Sequence, residues 1–268
     1  MANTIGFGQA AVNNTNGFGK APTNNTIDFG EVCADSWSPE TNLTGAGATP
    51  PFSNTKSIEL DGIDDYVDCG NFSAYDNGDL SFSMWVYKTT SGLEYVFSNS
   101  GSGTVAGFAV VIWDKHIKID RRTRTKQSSS AYKLLGLNYN TWHNIIGTYN
   151  DTTDVLKVYF DGTFKATYSA SSDVNSASTP LNIGSYAGTS NFFQGNIDEV
   201  SIFNTELSAS DVTSIYNGGV PNDISSLNPL GWWRCGDGDT SPTLTDNGSG
   251  GNDGTMTNFS TFSTDVPT

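Results

Sequence analysis

Alternating apolar and polar residues run through the middle of the chain and predict a series of β-strands. In LSFSMWVYK (80–88), Leu80, Phe82, Met84 and Val86 share one face, and Ser81, Ser83, Trp85 and Tyr87 the other. The second face turns aromatic halfway, which predicts a strand covered on both sides in the middle of a sandwich. EYVFSNS (94–100) and GFAVVIWD (107–114) follow, the latter so continuously apolar that it predicts a central strand. Further strands are predicted in NTWHNIIGTYN (140–150), DVLKVYFDG (154–162), TFKATYSA (163–170), PLNIGSYAG (180–188) and FQGNIDEVSIFN (193–204). Asp161-Gly162, between two alternating stretches, marks a hairpin. The helical period appears in LSASDVTSIYNGG (207–219), with Ser208 as N-cap, Asp211 three residues on, and Gly218 and Gly219 as the stop.

Ser57–Gly70, SIELDGIDDYVDCG, reads as a strand, a tight Asp-Gly turn and a second strand, with Asp61, Asp64 and Asp65 bunched at the bend. Two uses of these acids are open. They can cap the turn by accepting hydrogen bonds from nearby backbone amides. They can also offer hard oxygen ligands to calcium, together with backbone carbonyls and Asp198 or Glu199.

The two ends of the chain break the strand pattern. Residues 5–30 repeat with a period of eleven, IGFGQAAVNNT, NGFGKAPTNNT and a truncated IDFGEV. Each unit has one aromatic, Phe7, Phe18 or Phe29, among small and polar residues. Such a segment buries too little apolar surface to form its own core, so its ordering entropy must be offset by contacts with another surface. Residues 1–35 are therefore expected to be an assembly arm anchored by the three phenylalanines, 36–56 a linker, and 57–268 a single β-domain. Near the other end, Trp232-Trp233 predicts a core strand, and the Gly/Asp/Asn run after it a loop leading to a short strand at Thr255–Phe259.

Composition narrows the function. Aromatics make up 12% of the residues and charged residues only 15%, a balance suited to an all-β protein with many turns. The net charge of −15 argues against nucleic-acid binding, which needs a basic surface. Six of the thirteen Lys and Arg fall in 115–127, where Arg121, Arg122, Arg124 and Lys126 form a basic patch. That patch protects a sheet edge or docks an acidic neighbour, such as another copy of this chain. Cys33, Cys69 and Cys235 are widely spaced, with no zinc-ligand motif, and read as free thiols. No secretory signal and no membrane-spanning run is visible. His143, beside Trp142, has no Ser or Cys nucleophile motif near it and reads as structural. Trp113, Tyr186 and Phe192 are candidates for a glycan surface, although no pattern places them together.

SIELDGIDDYVDCG, LSFSMWVYK, NTWHNIIGTYNDTTDVLKVYFDG, LNIGSYAG and FQGNIDEVSIFNTELSASDVTSIYNGG together resemble the laminin-G-like jelly rolls of the concanavalin A-like lectin/glucanase superfamily, in the family's order. The resemblance implies an all-β jelly-roll sandwich with one short helix. LGWWRCGDGDTSPTLTDNGSGGNDGTM resembles a segment that precedes the Leu-Asp-Gly strand in many members but follows the domain here, which looks like a circular permutation and implies that the Trp232-Trp233 segment rejoins the Asp61–Cys69 strand. The superfamily includes glucanases, and Glu59, Asp61 and Asp64 superficially match a glycosidase strand. Gly62 interrupts that strand and Asp64 stands where a catalytic Glu belongs, so hydrolysis is not expected. The expected function is a virion structural protein, a bacteriophage capsid decoration or tail component. It displays the lectin-like domain toward host-surface glycans and contacts other virion proteins and further copies of itself. The alternative is a cell-surface or secreted carbohydrate-binding protein.

Overall fold

A computed structural model describes residues 52–71, 78–99, 107–122, 127–129, 133–134, 136–169 and 180–268. Phe7, Phe18, Phe29, Cys33, Arg124 and Lys126 lie outside these residues, and Arg121 and Arg122 are described only as backbone. Phe52–Thr268 forms one compact unit.

The unit holds seventeen strands: β1 (Ser57–Asp61), β2 (Tyr66–Asp68), β3 (Leu80–Lys88), β4 (Leu93–Ser98), β5 (Gly107–Trp113), β6 (His116–Arg122), β7 (Gln127–Ser129), β8 (Lys133–Leu134), β9 (Trp142–Asn150), β10 (Val155–Phe160), β11 (Thr163–Ser169), β12 (Asn182–Ile183), β13 (Gln194–Phe203), β14 (Gly231–Trp233), β15 (Thr243–Leu244), β16 (Gly254–Thr257) and β17 (Phe262–Ser263). The first sheet has the order β11-β10-β9-β3-β13-β1-β17, with β14 also paired to β13. The second has the order β15-β16-β2-β12-β4-β5-β6-β7, with β8 also paired to β6.

The main core lies between the sheets. Ile58, Phe82, Met84, Val86, Ile145 and Ile197 of the first sheet meet Val67, Phe97, Phe108, Val110 and Ile112 of the second. Phe82 and Phe108 touch across it, ring centroids 5.0 Å apart. A smaller core covers the outer face of the first sheet, where helix α1 (Ala209–Tyr216) lays Val212 and Ile215 against Ile146, Tyr159, Phe203 and Trp232. Ile145 and Ile146 are adjacent in β9 yet belong to different cores, because successive side chains in a strand point to opposite faces. That double covering explains why β3 shows apolar residues on both faces.

Local chemistry closes the elements as the sequence predicts. Asp211 N–H donates to Ser208 Oγ at 3.2 Å, and Ser208 N–H donates to Asp211 Oδ2 at 2.8 Å, a reciprocal capping box. The β10–β11 turn places Asp161 and Gly162 at φ 49° and 66°, the left-handed pair that a two-residue hairpin needs.

The C-terminal segment returns to both sheets, but not where the sequence suggests. The Trp232-Trp233 strand does not rejoin the Asp61–Cys69 segment; β14 pairs with β13, opposite Val200–Ile202. It is β16 that pairs with β2, and β17 with β1. β13 receives β1 along residues 194–197 and β14 along 200–202. Between the two, its pairing with β3 slips, and Glu199 adopts φ 47°. This bulge places Asp198 and Glu199 side by side inside the protein.

Residues 52–56, at the end of the expected linker, pack on the sandwich. The Phe52 ring stacks on Trp232 at 6.3 Å, and the Arg234 guanidinium lies 4.3 Å from the Phe52 centroid. Asn54 Nδ2 donates to Asp198 Oδ2 at 2.9 Å, and Thr55 N–H donates to Asp237 Oδ2 at 2.9 Å. Cys69 and Cys235 are buried free thiols, and burial pushes both well above the usual thiol range.

Candidate functional site

A groove of about 440 Å³ opens at one end of the first sheet, within the roughly 300–1,000 Å³ span of small-ligand sites. Its position follows from strand register. Tyr87 lies directly opposite Trp142 in the β3–β9 ladder, so both side chains stand on one face, their rings 5.7 Å apart. Trp85, two residues before Tyr87, is buried and stacks on Tyr216 of α1 at 5.8 Å with an 18° tilt. Gly162 brings the hairpin against that tyrosine: a Cβ at 162 would sit 2.4 Å from the Tyr216 ring. Asn140 and Thr141 form the rim before β9, and Gly219 and Thr268 complete the lining. Asp265 Oδ1 accepts a 2.9 Å hydrogen bond from Trp142 Nε1 and holds the indole in place.

His143 and Asp161 also line the groove. Asn138 N–H donates to His143 Nε2 at 3.1 Å, which leaves the imidazole proton on Nδ1, 2.8 Å from Asp161 Oδ2. Asp161 Oδ1 accepts from Asn144 N–H at 2.9 Å. Both imidazole nitrogens and both carboxylate oxygens are therefore engaged, and the ring stacks on Phe160 at 4.7 Å. These contacts tie His143 to the loop before β9 and to the β10–β11 turn. By contrast, the hydroxyls of Tyr87 and Tyr216, the Asn140 amide and the Thr141 hydroxyl have no side-chain hydrogen bond among the described residues, and all four residues line the groove. Aromatic rings with unengaged neutral polar groups beside them suit a ligand with an apolar face and hydroxyl edges.

The three aspartates come together as the sequence predicts, with ligand atoms within 4.8 Å of one another. Asp61 Oδ1 accepts from Ile63 N–H at 2.8 Å, and Asp65 Oδ2 accepts from Asp61 N–H at 3.0 Å. Gly62 turns the chain at φ 78°. Partial burial raises the Asp65 pKa, opposed by the Asp61 amide and reinforced by the charges of Asp61 and Asp64. The donors are hard oxygens, as calcium requires, but three carboxylates supply only part of the six to eight ligands such an ion takes. Asp198 and Glu199 do not join them. Asp198 Oδ1 accepts from Glu199 N–H at 2.8 Å, while Glu199 accepts from Trp232 Nε1 at 2.6 Å and from Arg234 Nε at 3.2 Å.

The other aromatic candidates stand on the second sheet. Tyr186 pairs with Tyr95 at 4.8 Å, Phe192 approaches Tyr66 at 6.3 Å, and Trp113, 49% exposed, lies opposite Leu93. None of the three lines the groove. The residues that do are separated by more than 130 positions; the cue in the sequence was the aromatic pair on the second face of β3, which alone does not reveal its partners.

Two antiparallel sheets facing each other, with a helix on one outer face, define a lectin-like jelly roll. The chain belongs to the concanavalin A-like lectin/glucanases superfamily, whose profile matches residues 61–213, more than half of its length. Its structure is similar to that of a candidate carbohydrate-binding protein from Bacteroides ovatus, with TM-score 0.61 at 15% identity over 82% of this chain and 62% of that one. It is also similar to the receptor-binding domain of botulinum neurotoxin mosaic serotype C/D, with TM-score 0.50 and 19% identity over 63% of this chain and 44% of that one. The CBM40 domain of a Ruminococcus gnavus sialidase, bound to α2,3-sialyllactose, aligns with TM-score 0.49 and 11% identity over 61% of this chain and 100% of that one. The chain thus spans less than two thirds of the Bacteroides protein, and at these identities the likeness establishes the fold alone. A search of curated protein sequences returned no match.

Proposed function

We propose that the sandwich is a non-catalytic carbohydrate-binding domain that takes sugars in the Tyr87–Trp142 groove. The observation that carries this reading is the groove itself, lined by the Tyr87 and Trp142 rings, inclined at 54° to each other, and by residues with unengaged hydroxyl and amide groups. The Bacteroides relative, described as a candidate carbohydrate-binding protein, supports it. Two features favour binding without cleavage: His143 has neither nitrogen available as a base, and Asp61, a residue of the glycosidase-like segment, holds backbone amides of its own turn. Replacing Trp142 with alanine is expected to weaken binding on a glycan panel by more than tenfold while the circular dichroism spectrum stays unchanged. Undiminished binding would remove the groove from consideration.

The chain is further read as a bacteriophage virion component that displays this domain through residues 1–35. The eleven-residue repeats, each with one phenylalanine, support that placement, as does the acidic composition. Deleting residues 1–35 is expected to abolish association with particles while Phe52–Thr268 keeps its melting temperature. Retained association, or secretion of a monomer, would favour the cell-surface or secreted carbohydrate-binding alternative.

A further inference from the structure

The polar chemistry of the groove also indicates which sugars it takes. Resting on the reading that the groove binds carbohydrate, we propose that it selects uncharged sugars, hexoses or N-acetylhexosamines, and rejects sialylated and other anionic glycans.

An anionic sugar brings a carboxylate that must leave water when its ring stacks on protein, and the loss is recovered only where a cation or several donors meet it. No lysine or arginine is among the described residues lining the groove. Both ring nitrogens of His143 are engaged within the protein, Nε2 by the Asn138 N–H and Nδ1 by Asp161, so neither is free to meet a ligand anion. The nearby hairpin carries Lys165, but its ammonium lies over the Phe160 ring, 6.0 Å from the centroid, and it does not line the groove. The charged group that does line it is Asp161, whose side chain is 32% exposed, and its carboxylate repels a ligand anion at short range. The net charge of −15 adds repulsion at longer range.

The groups left for a ligand are neutral. The Tyr87 and Tyr216 hydroxyls, the Thr141 hydroxyl and the Asn140 amide can each give and accept hydrogen bonds, as sugar hydroxyls and acetamido groups require. The Tyr87 and Trp142 rings are inclined at 54° to each other, so the apolar face of a pyranose ring stacks on one of them with the other at its edge. Neutral hydroxyl edges and a flat apolar face are thus matched, and a negative charge is not.

The test compares neutral oligosaccharides with their sialylated counterparts, lactose against 3′-sialyllactose and N-acetyllactosamine against its sialyl form, on the full chain by calorimetry and on a printed panel. Neutral sugars are expected to bind, with the sialylated partner of each pair more than tenfold weaker. Thr141→Lys, at the exposed rim, is expected to narrow that gap several-fold by supplying the missing cation. Asn140→Ala, also exposed, is expected to weaken neutral binding several-fold without a change in melting temperature. Equal or stronger binding of the sialylated members overturns the selectivity and leaves the groove a glycan site. Absence of binding to every member of the panel overturns the carbohydrate reading itself, and the selectivity with it.

Discussion

Two clusters of carboxylates in this protein differ in how many of their members reach solvent. At the Asp61–Asp65 turn, Asp61 and Asp64 are exposed and only Asp65 is buried, and the acids bond backbone amides of their own turn. At the β13 bulge, Asp198 is fully buried and Glu199 is 6% exposed, and they lie near the Arg234 guanidinium, Asp237 and the Cys235 thiol. Burial raises Asp198 well above the usual carboxylate range, and the adjacent Glu199 adds to it. Burial likewise raises Glu199 to about 7, partly offset by Arg234 and by the Trp232 N–H. Asn54 reaches the same junction. Its Oδ1 is buried without a hydrogen-bond partner, although its Nδ2 donates to Asp198. The same residue types therefore cap a turn in one place and form a buried junction with raised pKa values in the other, and the difference is solvent.

The largest expected effect comes from breaking the junction. Arg234→Ala removes the cation beside Glu199 and the stack on Phe52 and Trp232, leaving buried acid without its partner. A loss of about 3–5 kcal/mol in urea unfolding is expected. A loss below about 1 kcal/mol would mean that the charge is already neutralised by protonation.

Next in size is the pH dependence. Both bulge acids have folded pKa values above their unfolded ones, so the stability they contribute is fully present below the unfolded value and lost as pH rises through the folded one. For Glu199 that window runs from about 4.5 to about 7. The melting temperature should therefore fall as pH rises across it, and Glu199→Gln should flatten the slope there whatever its absolute value. Glu206, held low by Lys157, and Asp223, held low by Ser225, act in the opposite sense, their contributions being lost as pH falls through their folded values. A slope unchanged in the Glu199 variant would locate the titration elsewhere.

The smallest effects belong to the exposed turn. Asp65→Asn keeps an acceptor for the Asp61 amide and should cost no more than about 1 kcal/mol, compared with several at the bulge. Millimolar calcium after chelation should move the melting temperature by no more than about a degree if turn capping is the role of these acids. A rise of several degrees would show that the remaining oxygens hold an ion.

The strands, the Asp161-Gly162 hairpin and the Ser208 cap were legible because each depends on neighbours a few positions away. The acid turn was legible for the same reason. Two expectations failed where distant segments decide. Trp232-Trp233 pairs with β13 because the bulge at 198–199 leaves Val200–Ile202 open beyond the end of β1. Asp198 and Glu199 serve the junction because Asn54, Trp232 and Arg234 reach them from both ends of the domain.

By itself the sequence determined an all-β chain of alternating strands, one capped helix and an acid-rich turn, since period, turn chemistry and capping are local properties. Only the tertiary structure decided that Tyr87, Trp142 and Tyr216 share a groove, and that one pair of acids is buried with raised pKa values while the acids of the turn cap it. Sheet register and burial set both outcomes, and both depend on residues far apart in the chain.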